Sequence, residues 1–518
     1  MSHTPAPLAA PINATKLRRK IEYYPLTREV ETAGGRDVNQ IQTDLLRLSR
    51  GRPLRDINEW GKVHIDALTM SLRSRISTEL SYSLTTLIIL STMRGAAPDT
   101  GFPISQCEDL LEELLDLLEE LAFNGQNEID PPLGIDDNTD VVTNRQLVNA
   151  AHEEISSPFA SSERTTGEYD STQAGPVQRK GDLIRIILNI LRNLSAVTEN
   201  QPFMARHAIL TDVLLRLTCL RTSINGIPQA ASPVLSIPDM IVVRKDILNT
   251  FVNLAGAVDI TTMSSPNIVR RCQRIFNLVS SYLVDPADAL PPFTWMLQTG
   301  STGSLHVRAP LLPDAALEIF TRVSQLDANR QVFSNNVPKQ WIWCLFEALV
   351  HRLPTSEHDF TLVMREESWL SYLEKLIMGL YSLAFLMSPD LKKRAKTDRS
   401  IGFSRVMLRL LKRIWSTPQA EQRSHFYICA RRAIETMKVI DDGNDSFDSS
   451  QPSLPLLSFG VGYGEVGDKR VEKGNGLWSG HRDDVLWGIM FQREVDDVMF
   501  SELESLARVE CDIPLPTF

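Results

Sequence analysis

The sequence predicts an all-α protein, an irregular armadillo-like α-solenoid with long disordered insertions. Three observations support this fold class. Apolar residues recur at intervals of three and four through most of the 518 residues, which is typical of amphipathic helices. Short polar runs separate neighbouring helical segments, and several segments resemble one another. Because a pair of amphipathic helices cannot bury its apolar face alone, such units must stack on one another.

Residues 182–220 form the clearest helical unit. The polar run 195–201 separates two helices whose apolar positions are Leu183, Ile187, Ile190, Leu191 and Leu194 in the first, and Phe203, Met204, Ile209, Val213, Leu214 and Leu217 in the second. We assign residues 182–440 to armadillo-like helical repeats.

Weaker copies of this unit follow. The stretch ILNTFVNLAGA at 247–257 resembles LNILRNLSA at 188–196, and Ser324, Asn329 and Phe333 parallel Ser195, Asn200 and Phe203. Within the repeats, the apolar cluster Trp341, Trp343 and Phe346 is either an exposed binding anchor or part of the core, and the core is the commoner outcome.

The N-terminal part of the chain divides into two stretches. Residues 1–15 are rich in Ala and Pro and are predicted to be disordered, and residues 16–123 form the N-terminal helical part of the core. We expect a helix from about Val38, then at least two helices within 57–94, with Ser77 as the N-cap of the second.

The clearest single helix covers residues 108–123. Its leucines share one side, and its acidic residues lie mostly opposite: Glu112, Glu113, Asp116, Glu119 and Glu120. This acidic stripe is either a solvated face, which is the commoner case, or a surface for a basic partner.

Three further segments complete the organisation. Residues 124–181 are polar and Gly/Pro-containing, and we predict a disordered insertion with a weak helical pattern near 144–155. Residues 441–482 are predicted to be a flexible loop. Residues 483–509 are predicted to form one C-terminal helix that docks on the repeats.

Composition excludes several classes. Lys and Arg number 54 against 64 Asp and Glu, a net charge of −10, which argues against DNA binding across the whole surface. The six cysteines are scattered without a CxxC pair, so we expect neither a disulfide framework nor a zinc ribbon. We find no signal peptide and no apolar run of about 18 residues, and predict no membrane span.

No catalytic constellation is visible. Gly462, Gly464 and Gly467 satisfy GxGxxG, and residues 481–483 spell HRD, but a kinase needs a strand lysine, a DFG aspartate and a far larger separation. A dinucleotide site would need a strand before the glycines and a helix after them. We therefore predict no catalytic, cofactor-binding or metal-binding residues, no cofactor, no small-molecule substrate and no enzyme activity.

A compact basic cluster follows Pro389 and consists of Lys392, Lys393, Arg394 and Lys396. It is a candidate nuclear import signal. A solvated charge cluster between helices is an equally good interpretation, since short basic matches are common by chance.

Three stretches resemble one known family. IDALTMSLRSRISTELSYSLTTLIIL at 65–90, ILRNLSAVTENQPFM at 190–204 and IEYYPLTREVETAGGRDV at 21–38 are similar to the C-terminal armadillo-like core of the ARID-bearing large subunit of fungal SWI/SNF (BAF-type) chromatin-remodelling complexes. The resemblance implies a nuclear, non-catalytic scaffold that regulates transcription by holding the ATPase and the core subunits together. No ARID module is found upstream, so its DNA binding is not carried over and direct DNA contact is not expected.

Two other functions stay open. One is a cytoplasmic armadillo-type protein–protein adaptor such as a transport receptor, although Asn193, Asn253 and Asn277 are few and irregular for the asparagine array of that class. The other is an enzyme with an unrecognised helical site, which a strongly perturbed buried carboxylate or histidine in a pocket would indicate.

Overall fold

The computed structural model describes residues 32–33, 36–50, 62–93, 100–123, 141–156, 179–222, 228–261, 265–300, 307–416, 423, 425–447, 476–479 and 483–508. The predicted disorder at 1–15 and the glycine motif at 462–467 lie outside these residues.

The chain divides into two units, Met1–His64 and Ile65–Phe518. In the first, the two-residue strands β1 (Thr32–Ala33) and β2 (Arg36–Asp37) pair antiparallel, and helix α1 (Val38–Arg50) begins at the predicted residue.

The second unit is built mainly of helices, which confirms the all-α prediction for the described residues. They are α2 (Ile65–Ser74), α3 (Ser77–Thr92), α4 (Glu108–Phe123), α5 (Asn144–Ser156), α6 (Lys180–Ser195), α7 (Gln201–Arg206), α8 (Ala208–Leu217), α9 (Ile237–Leu254), α10 (Ser265–Ser281), α11 (Pro292–Gln298), α12 (Leu311–Val323), α13 (Asp327–Asn336), α14 (Lys339–His351), α15 (Glu357–Arg365), α16 (Glu367–Leu386), α17 (Pro389–Thr397), α18 (Phe403–Trp415), α19 (Tyr427–Asp442), α20 (Asp483–Met490) and α21 (Asp497–Ala507). A hairpin of β3 (Leu220–Thr222) and β4 (Pro228–Ala230) adds a small strand pair that the sequence did not predict.

One row of helices runs through the second unit in chain order. Helix α3 packs against α6, α6 against α9, α9 against α12, α12 against α16, α16 against α19 and α19 against α21. Beside this central row, α4 packs against α8, α8 against α10 and α10 against α13. Counted over the described helices, most helices of the central row therefore contact the helix that lies three or four places later.

The core lies between these helices and is dominated by leucine and isoleucine, with large aromatic residues in the middle of the chain. Trp343, Trp369, Phe320, Phe346 and Phe403 are all less than 2% exposed. Burial of such side chains stabilises the stack by roughly 25 cal/mol for each Å² of apolar surface removed from water.

The N-terminal helices agree with the predicted pattern except at one cap. Two helices lie in the predicted range, and α4 has the predicted bounds, 108–123. Ser77 is not the N-cap of α3, because it is already the first helical residue and Ile76 occupies the cap position without a side-chain hydrogen bond. The break is made by Arg75, whose φ of 56° cannot continue a right-handed helix.

Part of the predicted disordered insertion is folded. Helix α5 occupies the stretch with the weak helical pattern and packs against α9. Val141, Leu147 and Ala151 are buried, and the Thr143 hydroxyl donates to Asp285 Oδ2 at 2.8 Å. Residues 124–140 and 157–178 of the insertion lie outside the described residues.

The C-terminal helix is two helices rather than one. Helix α20 ends at Met490, and α21 starts at Asp497 with the Asp496 side chain accepting from Met499 N at 2.7 Å. Helix α21 packs on α19, and α20 on α18. The Asp496 N-cap is a signal that the sequence contains, since aspartate strongly favours this position.

Candidate interaction surfaces

The turn between α6 and α7 is held by one buried asparagine. Asn200 is fully buried, and its Nδ2 donates to Leu194 O at 3.1 Å and to Phe102 O at 2.9 Å. The next residue, Gln201, donates to Ser195 O at 3.2 Å. The turn carbonyls at the end of α6 are thereby satisfied without water, which fixes the angle at which α7 leaves.

The turn between α12 and α13 repeats this arrangement. Asn329 Nδ2 donates to Val323 O at 2.9 Å and to Val258 O at 3.1 Å, and the following Arg330 donates to Ser324 O at 2.6 Å. The two turns are thus equivalent from Ser195 to Gln201 and from Ser324 to Arg330.

One detail of the predicted parallel was wrong. The residue nine positions after the serine is Phe333 in one turn and Met204 in the other, and both are fully buried. Phe203, the expected counterpart of Phe333, is only half-buried.

Polar side chains link successive helices of the central row. Asn193 donates to Ser91 Oγ at 3.2 Å, Asn253 donates to Ser195 Oγ at 3.0 Å, and Ser324 Oγ donates to Ser382 Oγ at 2.9 Å. These contacts join α6 to α3, α9 to α6 and α12 to α16. The amides of Asn193 and Asn253 therefore serve contacts between helices, which is a different use from the peptide-binding array of a transport receptor.

Two arginines are buried without a carboxylate partner in an ion pair among the described residues. Arg244 donates to Thr218 O and to Ser281 Oγ, both at 2.7 Å, and burial lowers the pKa of its guanidinium. Arg352 donates to Leu283 O at 2.9 Å and to the Tyr372 hydroxyl at 3.2 Å. Both side chains satisfy carbonyls near helix C-termini, where a cation is favoured by the helix dipole.

The aromatic cluster on α14 belongs to the core. Trp341 is 4% exposed, Trp343 is 1% exposed and Phe346 is fully buried. The core interpretation is confirmed, and these residues are not available as a binding anchor.

The acidic stripe of α4 has basic partners within the chain. Glu113 accepts from Arg73 Nε at 2.9 Å and lies 3.3 Å from Arg75 Nη1, while Glu119 accepts from Arg216 at 2.8 Å. Glu120 accepts from Arg75 Nε at 2.9 Å. The stripe's other two residues, Glu112 and Asp116, are exposed. The stripe is therefore partly an internal contact of the fold, which neither interpretation from the sequence had included.

The four cations of the candidate import signal lie on α17 in unlike environments. Lys392 is 1% exposed and donates to Asn444 O at 2.6 Å and Ser446 Oγ at 3.1 Å. Lys396 lies 2.7 Å from Asp441 Oδ1. Lys393 and Arg394 are exposed, with the Arg394 guanidinium 4.0 Å from the Trp343 ring centroid. The import signal stays a prediction, and in the folded chain two of its four cations are engaged by α19 and the turn after it.

An exposed aromatic patch lies at the end of the chain. Trp487 is 50% exposed and Phe491 is 72% exposed, and their rings stack with centroids 5.3 Å apart. Beside them is an open cleft of about 680 Å³ whose lining includes Lys438, Met490 and Glu502. Burial raises the pKa of the Glu502 carboxyl. We call Trp487 and Phe491 the aromatic patch, which was not among the sites predicted from the sequence.

Sites for chemistry are not evident in the described part of the chain. No group of three or more His, Cys, Asp and Glu side chains there is arranged to hold a metal ion. Burial raises the pKa of the Cys272 thiol, and that of Cys429 to about 12, which disfavours the nucleophilic thiolate. Among these residues, no helix is long and apolar enough to cross a membrane.

Comparison with known proteins gives one informative similarity. No family model matches the chain. A 225-residue stretch is 26% identical to the SWI/SNF chromatin-remodeling complex subunit sol1 of Schizosaccharomyces pombe, covering 40% of this chain and 24% of that relative. The chain thus matches about a quarter of the relative's length. The chain is a distant homologue of part of a SWI/SNF chromatin-remodelling complex subunit.

Proposed function

We propose that this protein is a non-catalytic scaffold subunit of a SWI/SNF-type chromatin-remodelling complex, located in the nucleus. The single observation that carries the proposal is the similarity to the sol1 subunit over 225 residues. Under this proposal, the chain holds core subunits and the ATPase together and regulates transcription through that assembly.

The helix arrangement supports an armadillo-like solenoid as the form of the scaffold. Counted over the helices that the structure describes, the steps from α3 to α6, α9 and α12 are three helices each, as in an array of three-helix repeats. The equivalent turns at Asn200 and Asn329 give the same indication. A solenoid offers an extended surface on which several partners can bind at once.

The aromatic patch is the surface that we assign to contact with an apolar face of another subunit. Trp and Phe are both enriched at protein interfaces, and Trp is among the residues that most often form interface hot spots. The same proposal includes a nuclear import signal formed by Lys392, Lys393, Arg394 and Lys396.

The test is affinity purification of the tagged full chain from nuclear and cytoplasmic extracts, followed by identification of the recovered proteins. We expect a remodeller ATPase and its core subunits in stoichiometric amounts from the nuclear extract. A cytoplasmic chain that recovers none of them would contradict the scaffold proposal and favour the adaptor.

A surface variant makes the test sharper. In Trp487→Ser with Phe491→Ser, we expect reduced recovery of at least one subunit at unchanged thermal stability. The matched control is Leu311→Ser with Leu326→Ser, since these two apolar side chains are 75% and 47% exposed on a different part of the chain. Equal recovery by both variants would exclude the aromatic patch as a subunit contact.

A further inference from the structure

Helix α18 carries a continuous row of cations on its solvent side. Arg405, Arg409, Lys412 and Arg413 are spaced at four, three and one residues, so they share one face of the helix, and all four are exposed. The opposite side, which includes Phe403, Met407 and Leu411, is buried. We call these four residues the basic face.

The basic face lies in a stretch whose charge differs from that of the rest of the chain. Residues 389–416 contain nine Lys and Arg and two Asp, a net charge of +7, whereas the whole chain carries −10. The other residues together therefore carry −17. A local positive potential on an acidic protein attracts an anionic partner to this place and not to the surface in general.

Most cations of the basic face have no carboxylate partner among the residues that the structure describes. Among the described residues, Arg405, Arg409 and Lys412 form no ion pair, while Arg413 lies 3.8 Å from Glu357. Some cations elsewhere in the chain are paired closely, as in Arg192 with Asp246 at 2.6 Å. No described carboxylate neutralises the positive charges of Arg405, Arg409 and Lys412, so these charges can attract another molecule.

The composition of helix α18 favours nucleic acid over protein as that molecule. None of the large apolar side chains that are exposed in the described residues lies on α18, although the half-exposed Trp487 lies on α20, which packs against α18. Protein interfaces depend on buried aromatic and aliphatic anchors, whereas contacts to phosphate need only Lys, Arg and polar groups. From Arg405 to Arg413 the helix rises about 12 Å, and duplex DNA presents about seven charges over that length, twice the density of a single strand.

We infer that the basic face of α18 binds the phosphate backbone of duplex DNA without reading its sequence. This inference goes beyond the proposed scaffold role and does not depend on it. It also departs from the expectation of no direct DNA contact. That expectation rested on the net charge and on the ARID module, and neither of these reports on the charge of one helix.

The experiment measures binding of the full chain to a labelled duplex of arbitrary sequence by fluorescence anisotropy over a range of salt concentrations. The test variant is Arg405→Gln, Arg409→Gln and Lys412→Gln together. The matched control is Arg185→Gln, Arg206→Gln and Lys245→Gln, three exposed cations on α6, α7 and α9 that form no ion pair among the described residues and give the same change in net charge.

We expect the wild type and the control to bind with affinities that fall as salt rises, and the test variant to bind at least tenfold more weakly. The slope of log K against log salt should decrease by about 0.9 for each phosphate that the variant no longer neutralises. Circular dichroism should show the same melting temperature for all three proteins, since the substituted side chains are exposed.

Three results would overturn the inference. The wild type could fail to bind the duplex at low salt, or the test and control variants could weaken binding equally. The third is preferential binding of a poly-glutamate peptide or of single-stranded RNA in competition with the duplex, which would assign the basic face to that partner instead.

Discussion

At the residue scale, Asn329 makes three hydrogen bonds, one within its own turn and two to a segment about 70 residues earlier in the chain. Its amide nitrogen donates to Val323 O and Val258 O, and its Oδ1 accepts from Ile260 N at 3.0 Å. Since the side chain is fully buried, water cannot readily replace these bonds. One residue thereby joins the α12–α13 turn to the segment that follows α9.

The first prediction concerns this residue. Asn329→Ala should lower the free energy of unfolding by about 3 kcal/mol, because it leaves a buried N–H and two carbonyls unsatisfied. Asn335→Ala on the same helix, where the side chain is exposed, should change it by less than about 0.5 kcal/mol. Urea unfolding of both variants checks this, and similar costs for the two would contradict the assigned role of Asn329.

The second prediction concerns pH. Burial lowers the pKa of Lys392 from 10.5 to about 8. Between these values the unfolded chain holds a proton that the folded chain has released, so the contribution of Lys392 to stability rises with pH across that window and is flat below it. The rise is at most about 1.4 kcal/mol per pH unit.

The measurement is the difference in unfolding free energy between the wild type and Lys392→Met from about pH 7 to pH 10. Taking the difference removes the contributions of buried tyrosines and cysteines, whose raised pKa values act in the opposite direction over the same range. A difference that stays constant with pH would show that Lys392 is solvated in the folded chain.

At the scale of single elements, the short segment Gly476–Ser479 attaches the C-terminal helices to the stack. Trp478 N donates to Leu506 O at 2.8 Å, and the Ser404 hydroxyl donates to Leu477 O at 3.0 Å, which joins α21 to α18. A Cβ at position 476 would lie 2.3 Å from Leu506 O, so glycine is required for this close approach. Trp478 itself is fully buried.

The third prediction compares two tryptophans of this region. Trp478→Ala should cost about 3–5 kcal/mol, as removal of a large buried aromatic side chain usually does. Trp487→Ala, at a half-exposed position, should cost less than about 1 kcal/mol. Thermal unfolding with hydrogen exchange should show lower protection in α20 and α21 for the first variant; equal, small effects would place Trp478 outside the core.

At the scale of the whole molecule, stability is shared between neighbouring helices along the central row. Each row helix between α6 and α19 contacts the one before it and the one after it. In such an array the stability is close to a sum of contributions from units and from their interfaces. Damage at one interface should therefore affect its two neighbours first.

The fourth prediction places such damage at Gly379, in the middle of α16. A Cβ there would lie 3.1 Å from Leu349 Cδ1 and 3.6 Å from Leu317 Cδ2. Gly379→Leu should therefore push α14 and α12 away from α16 and cost about 3 kcal/mol. Hydrogen exchange should show lower protection in these three helices while α3 and α6 keep theirs.

The control for this variant is Gly488→Leu on α20, where no neighbouring atom lies within 4 Å of the added Cβ. It should leave stability unchanged or slightly raised, since leucine favours a helix more than glycine does. Uniformly lower protection over the whole chain in Gly379→Leu would show one cooperative unit in place of a row of interfaces.

Sequence alone was enough to locate several of the helices and their approximate limits. The bounds of α4, the two helices before it and the equivalence of Ser195 and Asn200 with Ser324 and Asn329 were all readable from spacing and local polarity. This succeeds because an amphipathic helix records its buried side every three or four residues, within a few turns of chain. The break before α21 was readable too, through Asp496, and was missed.

Packing in three dimensions settles which polar residues belong to the fold and which face outward. Lys392 and Lys393 are adjacent and chemically alike, yet one is buried against residues 444 and 446 and the other is exposed. Glu113 and Glu112 differ in the same way: Glu113 is buried and accepts from Arg73, about 40 residues earlier in the chain, whereas Glu112 is exposed. The physical reason is that burial and ion pairing depend on groups brought together by packing, and the local sequence does not record those groups.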